Sequence, residues 1–270
     1  MQLANNFSAR RALVTGGASG LGYGVAAALL ETGSQVAIGD VNEEGLKSAG
    51  VALNNPREIQ IHLDVTSPES VRRAIDRCHA EFGGLDTLVN CAGVFSFLPL
   101  EDIREAEWDR VLDINLKGVF LCCQAAAPLL RESGRGRIVN VSSDAGKKGY
   151  PLISSYCASK FGVIGFSKAI AGELAPYGVT VNCVCPTGIT STPMGQQVIE
   201  ILVRTTGKSA ESILAAREQT VPMRRMARVE DVVNAVMFFI SDESGFVTAE
   251  SMNVDGGVLG AGIVPGLSQD

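Results

Sequence analysis

Zinc-type ligand spacing is missing from this chain. Its seven cysteines include no C-x-x-C pair, and its two histidines, His62 and His79, stand away from any cysteine pair. No metal site is therefore expected. The odd cysteine count, with Cys122-Cys123 adjacent and Cys183 close to Cys185, lacks the spacing of a disulfide framework. Reduced thiols and a cytoplasmic location are the expectation. Concentrated basic charge is scarce as well. Lys and Arg number 23 against 29 Asp and Glu, a net charge of −6, and pairs such as Arg10-Arg11, Lys147-Lys148 and Arg224-Arg225 are too short to grip a phosphate backbone. Nucleic acid is thus not expected as a partner. No apolar run is long enough to cross a bilayer, and residues 1–11 lack the apolar core of a secretory signal. Membrane is likewise not expected as a partner. Linkers, internal repeats and low-complexity blocks are also absent.

The 270 residues are 46 % hydrophobic and 19 % charged, with 30 glycines. That is enough apolar material for one large core, and many glycines fall between apolar runs, where tight turns need them. Short strand-like runs occur at 12–15, 35–40, 59–63, 87–90, 137–141, 180–185 and 251–254. Helical patterns lie between them at 20–32, 43–53, 68–82, 105–133, 154–177 and 229–241. Alternating elements of this kind predict an α/β fold: one domain, a doubly wound parallel Rossmann-type sheet of about seven strands with helices on both faces. One long irregular stretch, 188–226, shows weak helical periodicity at 196–203 and 210–219. Its place after a strand's C-terminal end predicts a lid over a ligand site.

In an open parallel sheet, ligands bind beyond the strand C-termini, where the strand order reverses. The first strand runs directly into Thr15-Gly16-Gly17-Ala18-Ser19-Gly20-Leu21-Gly22. Gly16 permits a sharp turn, Gly20 lets backbone approach a pyrophosphate, and Gly22 lets the helix pack closely on the strand. The helix N-terminus beyond, from Ser19 through Leu21, offers free N–H groups to the anion. The spacing is G-x-x-x-G-x-G, and the strand–TGGASGLG–helix arrangement resembles the short-chain dehydrogenase/reductase family.

Further segments carry the resemblance. Asp40 ends the second strand, where a carboxylate can bind the ribose hydroxyls of NAD and repel the 2′-phosphate of NADP; a turn or helix-capping role is the competing reading. Two unit charges at ~4 Å in a partly screened site repel by about 4 kcal/mol. No Arg or Lys stands at Ser19 or Val41, where NADP-using relatives tend to carry one. Asp64 and Val65 follow the third strand, where the family holds adenine. Asn90-Cys91-Ala92-Gly93 matches the family's NNAG with Cys91 in place of the second Asn. Asn182-Cys183-Val184-Cys185-Pro186-Thr187-Gly188 resembles N-x-V-x-P-G with Thr187 interposed. Pro186, Gly188, Ile189 and Thr192 are expected near the nicotinamide and its carboxamide. The resemblance runs from about Arg11 to Gly257.

Tyr156 and Lys160 are four residues apart in a helical segment and share one face. A nearby ammonium favours a phenolate, which would bring the tyrosine toward use as a base. Ser143 lies thirteen positions before Tyr156 in sequence, at a strand end. Its neighbour Ser142 competes, and the family spacing selects Ser143. Asn115 resembles the asparagine that, in the family, sits at a helix irregularity and holds a water linked to the lysine. The implied catalytic set is Asn115, Ser143, Tyr156 and Lys160, with Tyr156 and Lys160 also touching cofactor.

Candidate substrate contacts are Val94, Phe95, Phe97, Asp144, Tyr150, Leu152, Ile153 and Met194. The lining is mostly apolar, which favours a small to medium hydrophobic secondary alcohol or its ketone. The resemblance therefore implies an NAD-dependent alcohol dehydrogenase. Competing readings are an NADPH-dependent 3-oxoacyl thioester reductase and a non-catalytic NAD-binding scaffold. A nucleotide-binding methyltransferase would leave Tyr156 and Lys160 unexplained. Helices 105–133 and 154–177 carry small and apolar residues around their circumference, and the family commonly forms tetramers through equivalent helices, so a homotetramer is expected. The tail 258–270 is expected to pack on a neighbour or stay loose.

Overall fold

Residues 8–261 are described by the computed structural model. The sequence expectations for residues 1–7 and for 262–270, most of the tail, lie outside them. Seven parallel strands form one sheet in the order β3-β2-β1-β4-β5-β6-β7. They are β1 (Arg11–Thr15), β2 (Gln35–Asp40), β3 (Glu58–His62), β4 (Thr87–Asn90), β5 (Arg137–Val141), β6 (Thr180–Pro186) and β7 (Ser251–Val254). The order reverses between β1 and β4, which pair in register from Ala12↔Thr87 to Thr15↔Asn90. A crevice opens at that point beyond the strand ends.

Burial on both faces explains the nearly continuous apolar strands. Along β1, Leu13 points into one core with α3 (Pro68–Phe82), α5 (Gly118–Ser133) and α6 (Ser154–Leu174). Ala12 and Val14 point into the opposite core, shared with α1 (Gly20–Glu31), α2 (Glu43–Leu53) and α9 (Val229–Ile240). The expected doubly wound sheet is the observed architecture.

One helical expectation needs correction, and the weak periodicity at 196–203 and 210–219 corresponds to two full helices. The pattern at 105–133 is not one helix. It divides into α4 (Glu105–Leu112), a wide π turn at Asp113–Lys117, and α5. The Gly118 N–H donates to Asp113 O, five residues back, so one extra residue is looped out of the α ladder. A Cβ on Gly118 would lie 2.8 Å from Val65 Cγ2, so glycine lets this helix approach the end of β3. The stretch 188–226 is also far less irregular than its composition implied. It holds α7 (Pro193–Thr206) and α8 (Ala210–Thr220), capped by the side chains of Thr192 and Ser209. No side chain of α7 is fully buried.

Candidate active site

The dinucleotide end is shaped by close backbone contacts. Thr15 Oγ1 accepts from the N–H groups of Cys91 and Ala92 at 3.2 and 3.1 Å, tying the end of β1 to the loop after β4. Gly16 has φ +66°, and a Cβ there would lie 2.8 Å from Ala92 N. A Cβ on Gly22 would collide with Gly16 O. The turn is thus folded back against its own helix, as the spacing predicted.

Helix α1 begins differently from α2, α3, α7 and α8. Those four have side-chain caps from Asn42, Ser67, Thr192 and Ser209. Ser19 makes no such cap, and the first turn of α1 holds no acid. Its N–H donors face a cavity of about 990 Å³ lined by Ser19, Gly20, Leu21 and Gly22. An uncapped helix start beside a glycine-formed hollow fits a pyrophosphate.

Asp40 lies in the same cavity wall. Its Oδ2 accepts from Ala18 N at 3.2 Å and its Oδ1 from Asn42 N at 3.0 Å. Each oxygen takes one backbone donor and keeps a lone pair for a ribose hydroxyl. The turn role and the ribose role are therefore compatible. Asp64 and Val65 also line the wall, with Asp64 Oδ1 accepting from Thr66 N and Oγ1.

Ala92, Gly93, Pro186, Gly188, Ile189 and Thr192 reach the cavity as expected. Asn90 does not. Its amide is wholly internal, with Nδ2 donating to Asn140 Oδ1 at 2.8 Å. It joins β4 to β5, and a side chain held there cannot touch a ligand in the crevice.

At the reactive end, Ser143, Tyr156 and Lys160 line one cavity. Lys160 Nζ donates to Val141 O at 2.8 Å and sits 5.6 Å from the centre of the Tyr156 ring. Ser142 Oγ donates to the Lys160 carbonyl at 3.0 Å. Ser143 instead donates to Asp144 Oδ1 at 2.8 Å and lines the cavity together with the Tyr156 phenol, whose pKa it lowers. This separates the two serines: Ser142 fastens β5 to α6, and Ser143 acts on the phenol.

Burial raises the Tyr156 pKa above its ordinary value; the Ser143 hydrogen bond opposes this and the Asp144 charge adds to it. Burial lowers Lys160 to about 8. The expected lowering of the phenol by Lys160 is therefore not produced by the protein's own groups, because desolvation dominates. Burial also pushes the neighbouring Cys91 thiol up to about 12, so it is no thiolate nucleophile.

Asn115 occupies the π turn and is fully buried. Its Oδ1 accepts from Val94 N at 2.8 Å, and its Nδ2 donates to Val94 O at 2.9 Å and to Ser159 Oγ at 3.1 Å. A Cβ on Gly93 would lie 3.4 Å from Asn115 Oδ1 and 3.7 Å from Lys160 Nζ, so these groups meet across the glycine. Asn115 thus clamps the loop after β4 to α6, in addition to any role with water.

Val94, Phe95, Phe97, Tyr150, Ile153, Asp144 and Met194 all line the cavity. Phe95 packs edge-on to Tyr156 with centroids 5.1 Å apart. Leu152 does not line it. Its φ of +67° turns the side chain outward, where it is 39 % exposed. Sequence reasoning passed over four contributors. Thr187, read only as an interruption, donates to Asp144 Oδ2 at 3.3 Å. Val198 and Leu202 continue the face begun by Met194, a spacing of four that the sequence displays. Arg217 of α8 reaches the wall beside Gly188, with no motif to announce it. Among the described residues no cluster suits a metal ion, and no helix is long and apolar enough to cross a membrane.

A glycine-formed cradle, an acid at the end of β2 and a Ser–Tyr–Lys set in one crevice define a nicotinamide-dinucleotide oxidoreductase. The chain belongs to the short-chain dehydrogenase/reductase family: the profile described as "Enoyl-(Acyl carrier protein) reductase" matches residues 16–259. A protein of Mycobacterium tuberculosis named 3-alpha-(or 20-beta)-hydroxysteroid dehydrogenase is 38 % identical over 249 residues, 92 % of this chain and 88 % of that one. Cyclopentanol dehydrogenase of Comamonas testosteroni is 39 % identical over 247 residues, covering 91 % and 95 %. The structure of a single-substitution variant of actinorhodin polyketide ketoreductase with NADPH is similar at a TM-score of 0.89 and 33 % identity, covering 94 % and 100 %. The family relationship makes this chain an oxidoreductase acting on CH–OH groups.

Proposed function

We propose that the protein is an NAD-dependent dehydrogenase of a small to medium, largely hydrophobic secondary alcohol. The observation that carries this reading is Asp40, whose carboxylate lines the dinucleotide cradle with no Lys or Arg at Ser19 or Val41 to receive a 2′-phosphate. The opposing reading, an NADPH-dependent ketoreductase, finds support in the relative whose structure holds NADPH.

The nicotinamide, when bound, exchanges a hydride with the carbinol carbon. This chain's residues handle the proton and the geometry. Tyr156 Oη takes the alcohol proton during oxidation and returns it during reduction. Ser143 Oγ holds the same substrate oxygen as charge develops on it. Lys160 supplies positive charge beside the phenol and reaches the nicotinamide ribose. Asn115 fixes the loop and helix that align these groups. Gly16, Ser19, Gly20, Leu21 and Gly22 hold the pyrophosphate, Asp40 the adenosine ribose, and Asp64 and Val65 the adenine. Ala92, Gly93, Pro186, Gly188, Ile189 and Thr192 border the rest of the dinucleotide.

Phe95, Tyr150, Ile153 and Met194 form the substrate walls, with α7 and α8 as the lid. The exposed Phe120 on α5 and Phe161 on α6 support assembly into a homotetramer through these helices. Seven unpaired cysteines support a cytoplasmic setting.

The test is a panel of secondary alcohols and ketones assayed with each dinucleotide. Turnover of neutral secondary alcohols with NAD, at least tenfold faster than with NADP, is expected. Turnover restricted to acyl thioesters with NADPH would replace this reading with its competitor.

A further inference from the structure

Arg217 presents an anomaly. Helix α8 buries Ile213 on its inner face, and Arg217 stands one turn further along that face. The guanidinium enters the cavity wall, where Nη2 would be 2.7 Å and Cζ 3.9 Å from a Cβ on Gly188. Glycine at 188 thus leaves the space that the guanidinium fills. Arg217 Nε is buried with no hydrogen-bond partner. Among the described residues, none of the ion pairs includes Arg217.

The acids in the same cavity are otherwise engaged. Asp40 and Asp64 hold backbone donors at the ends of β2 and β3. Asp144 accepts from Ser143, Tyr150 and Thr187. A permanently charged fork of donors, partly desolvated and unmatched by the protein, is suited to a planar or tetrahedral anion from outside. Its neighbour Gly188 adjoins Thr187, which reaches Asp144 and through it Ser143. That places the guanidinium on the reactive side of the cavity. The cavity lining is largely apolar, with residues such as Phe95, Met194 and Val198 in it.

We infer that Arg217 anchors an anionic group of the substrate, so that the preferred alcohol or ketone is an amphiphile: an apolar body ending in a carboxylate or a chemically similar anion. This rests on the dehydrogenase reading above and adds a polar end to its hydrophobic substrate. The lid then contributes charge recognition and not cover alone.

The probes are methyl-ketone carboxylic acids of increasing chain length, each paired with its methyl ester. Binding is measured by calorimetry on full-length protein loaded with oxidised dinucleotide, which cannot reduce a ketone. Turnover is measured separately with reduced dinucleotide. One chain length should favour acid over ester by about tenfold to a hundredfold, the range of a charge-assisted hydrogen bond. Arg217→Met, which keeps the apolar stem, should bring that ratio close to one, and Arg217→Lys should restore part of it. Dinucleotide affinity should be the same in all three proteins. Equal binding of acid and ester at every length overturns the inference. So does a loss of dinucleotide affinity in Arg217→Met with the acid-to-ester ratio unmoved, which would put the guanidinium on the cofactor's diphosphate. An acid preference that depends on Arg217, without turnover of any probe, sustains the anion site and counts against the dehydrogenase reading.

Discussion

The Ser143 hydroxyl donates its proton to Asp144, the next residue in the chain, at 2.8 Å. Among the influences on the Tyr156 phenol after burial, the Asp144 charge raises its pKa and Ser143 lowers it. The Asp144→Asn variant removes that charge at nearly constant shape. A nearby negative charge disfavours phenolate, so its loss should make ionisation easier. The acid limb of the pH profile for alcohol oxidation is expected to move to lower pH. A limb that stays in place, or moves up, would show that Asp144 has no electrostatic hold on the phenol.

Tyr156→Phe keeps the ring that packs against Phe95 and removes only the hydroxyl. Turnover should fall by about a thousandfold or more, the scale of a positioned proton donor together with its hydrogen bonds. Binding of NADH, read by fluorescence, should persist. Near-normal turnover in this variant would exclude Tyr156 as the proton-transfer group.

Asp40→Ser should weaken the preference for NAD over NADP by more than tenfold, because about half of a 4 kcal/mol repulsion already exceeds that factor. Parallel kcat/KM measurements with both dinucleotides read the ratio directly. The variant should still fold, since the side chain is half-buried and Asn42 continues to cap α2.

Lys160 titrates at about 8 in the folded protein against an ordinary 10.5. Between those values the unfolded chain binds the extra proton, so this group's contribution to stability rises with pH. Below about pH 8 the penalty for a buried ammonium is fully present; above about 10.5 it is gone. The shift corresponds to about 3 kcal/mol as an order of magnitude. In urea unfolding of the dinucleotide-free protein and of Lys160→Met, the stability of the parent minus that of the variant should rise across that window. The difference curve removes the opposing titration of Cys78, Cys122 and Cys123, and retains the part of Cys91, Cys183 and Cys185 that responds to the Lys160 charge.

Asp86 offers a control far from the crevice. It is completely buried just before β4 and accepts from Arg11 N, Arg11 Nε and Arg135 Nη2 at 2.9–3.2 Å. Asp86→Ala should destabilise the protein by about 2 kcal/mol, a figure held down because both guanidinium groups are partly solvated. The urea midpoint should drop while the affinity of the remaining folded protein for NADH is unchanged.

Much of this molecule was legible in the sequence because its signals are local. Strand 87–90 and helix 68–82 follow from apolar runs and caps, and the observed boundaries agree. The turn from Gly16 to Gly22 is readable because its glycine spacing is a local signal: Gly22 answers Gly16 O within the same turn, although Gly16 itself answers Ala92 after β4. The break at Asp113–Lys117 was invisible in periodicity, since one looped-out residue barely disturbs a helical pattern of this length; the family resemblance carried by Asn115 is what pointed to it. Asn90 misled for a different reason: a strand's last side chain can point across the sheet or out of it, and only pairing with Asn140 decides. Arg217 lies far in sequence from Gly188's neighbours in the sheet, and its meeting with that glycine depends on how α8 docks.

Helix α7 covers the crevice through half-buried Met194, Val198 and Leu202 while sealing no side chain completely. Raising it would uncover little greasy surface, whereas shifting any sheet strand would tear open two cores. Traffic into and out of the crevice can therefore be governed by one loosely seated element above a stationary platform. Exchanges along its underside would be the economical route to new substrate tastes with the hydride chemistry left intact.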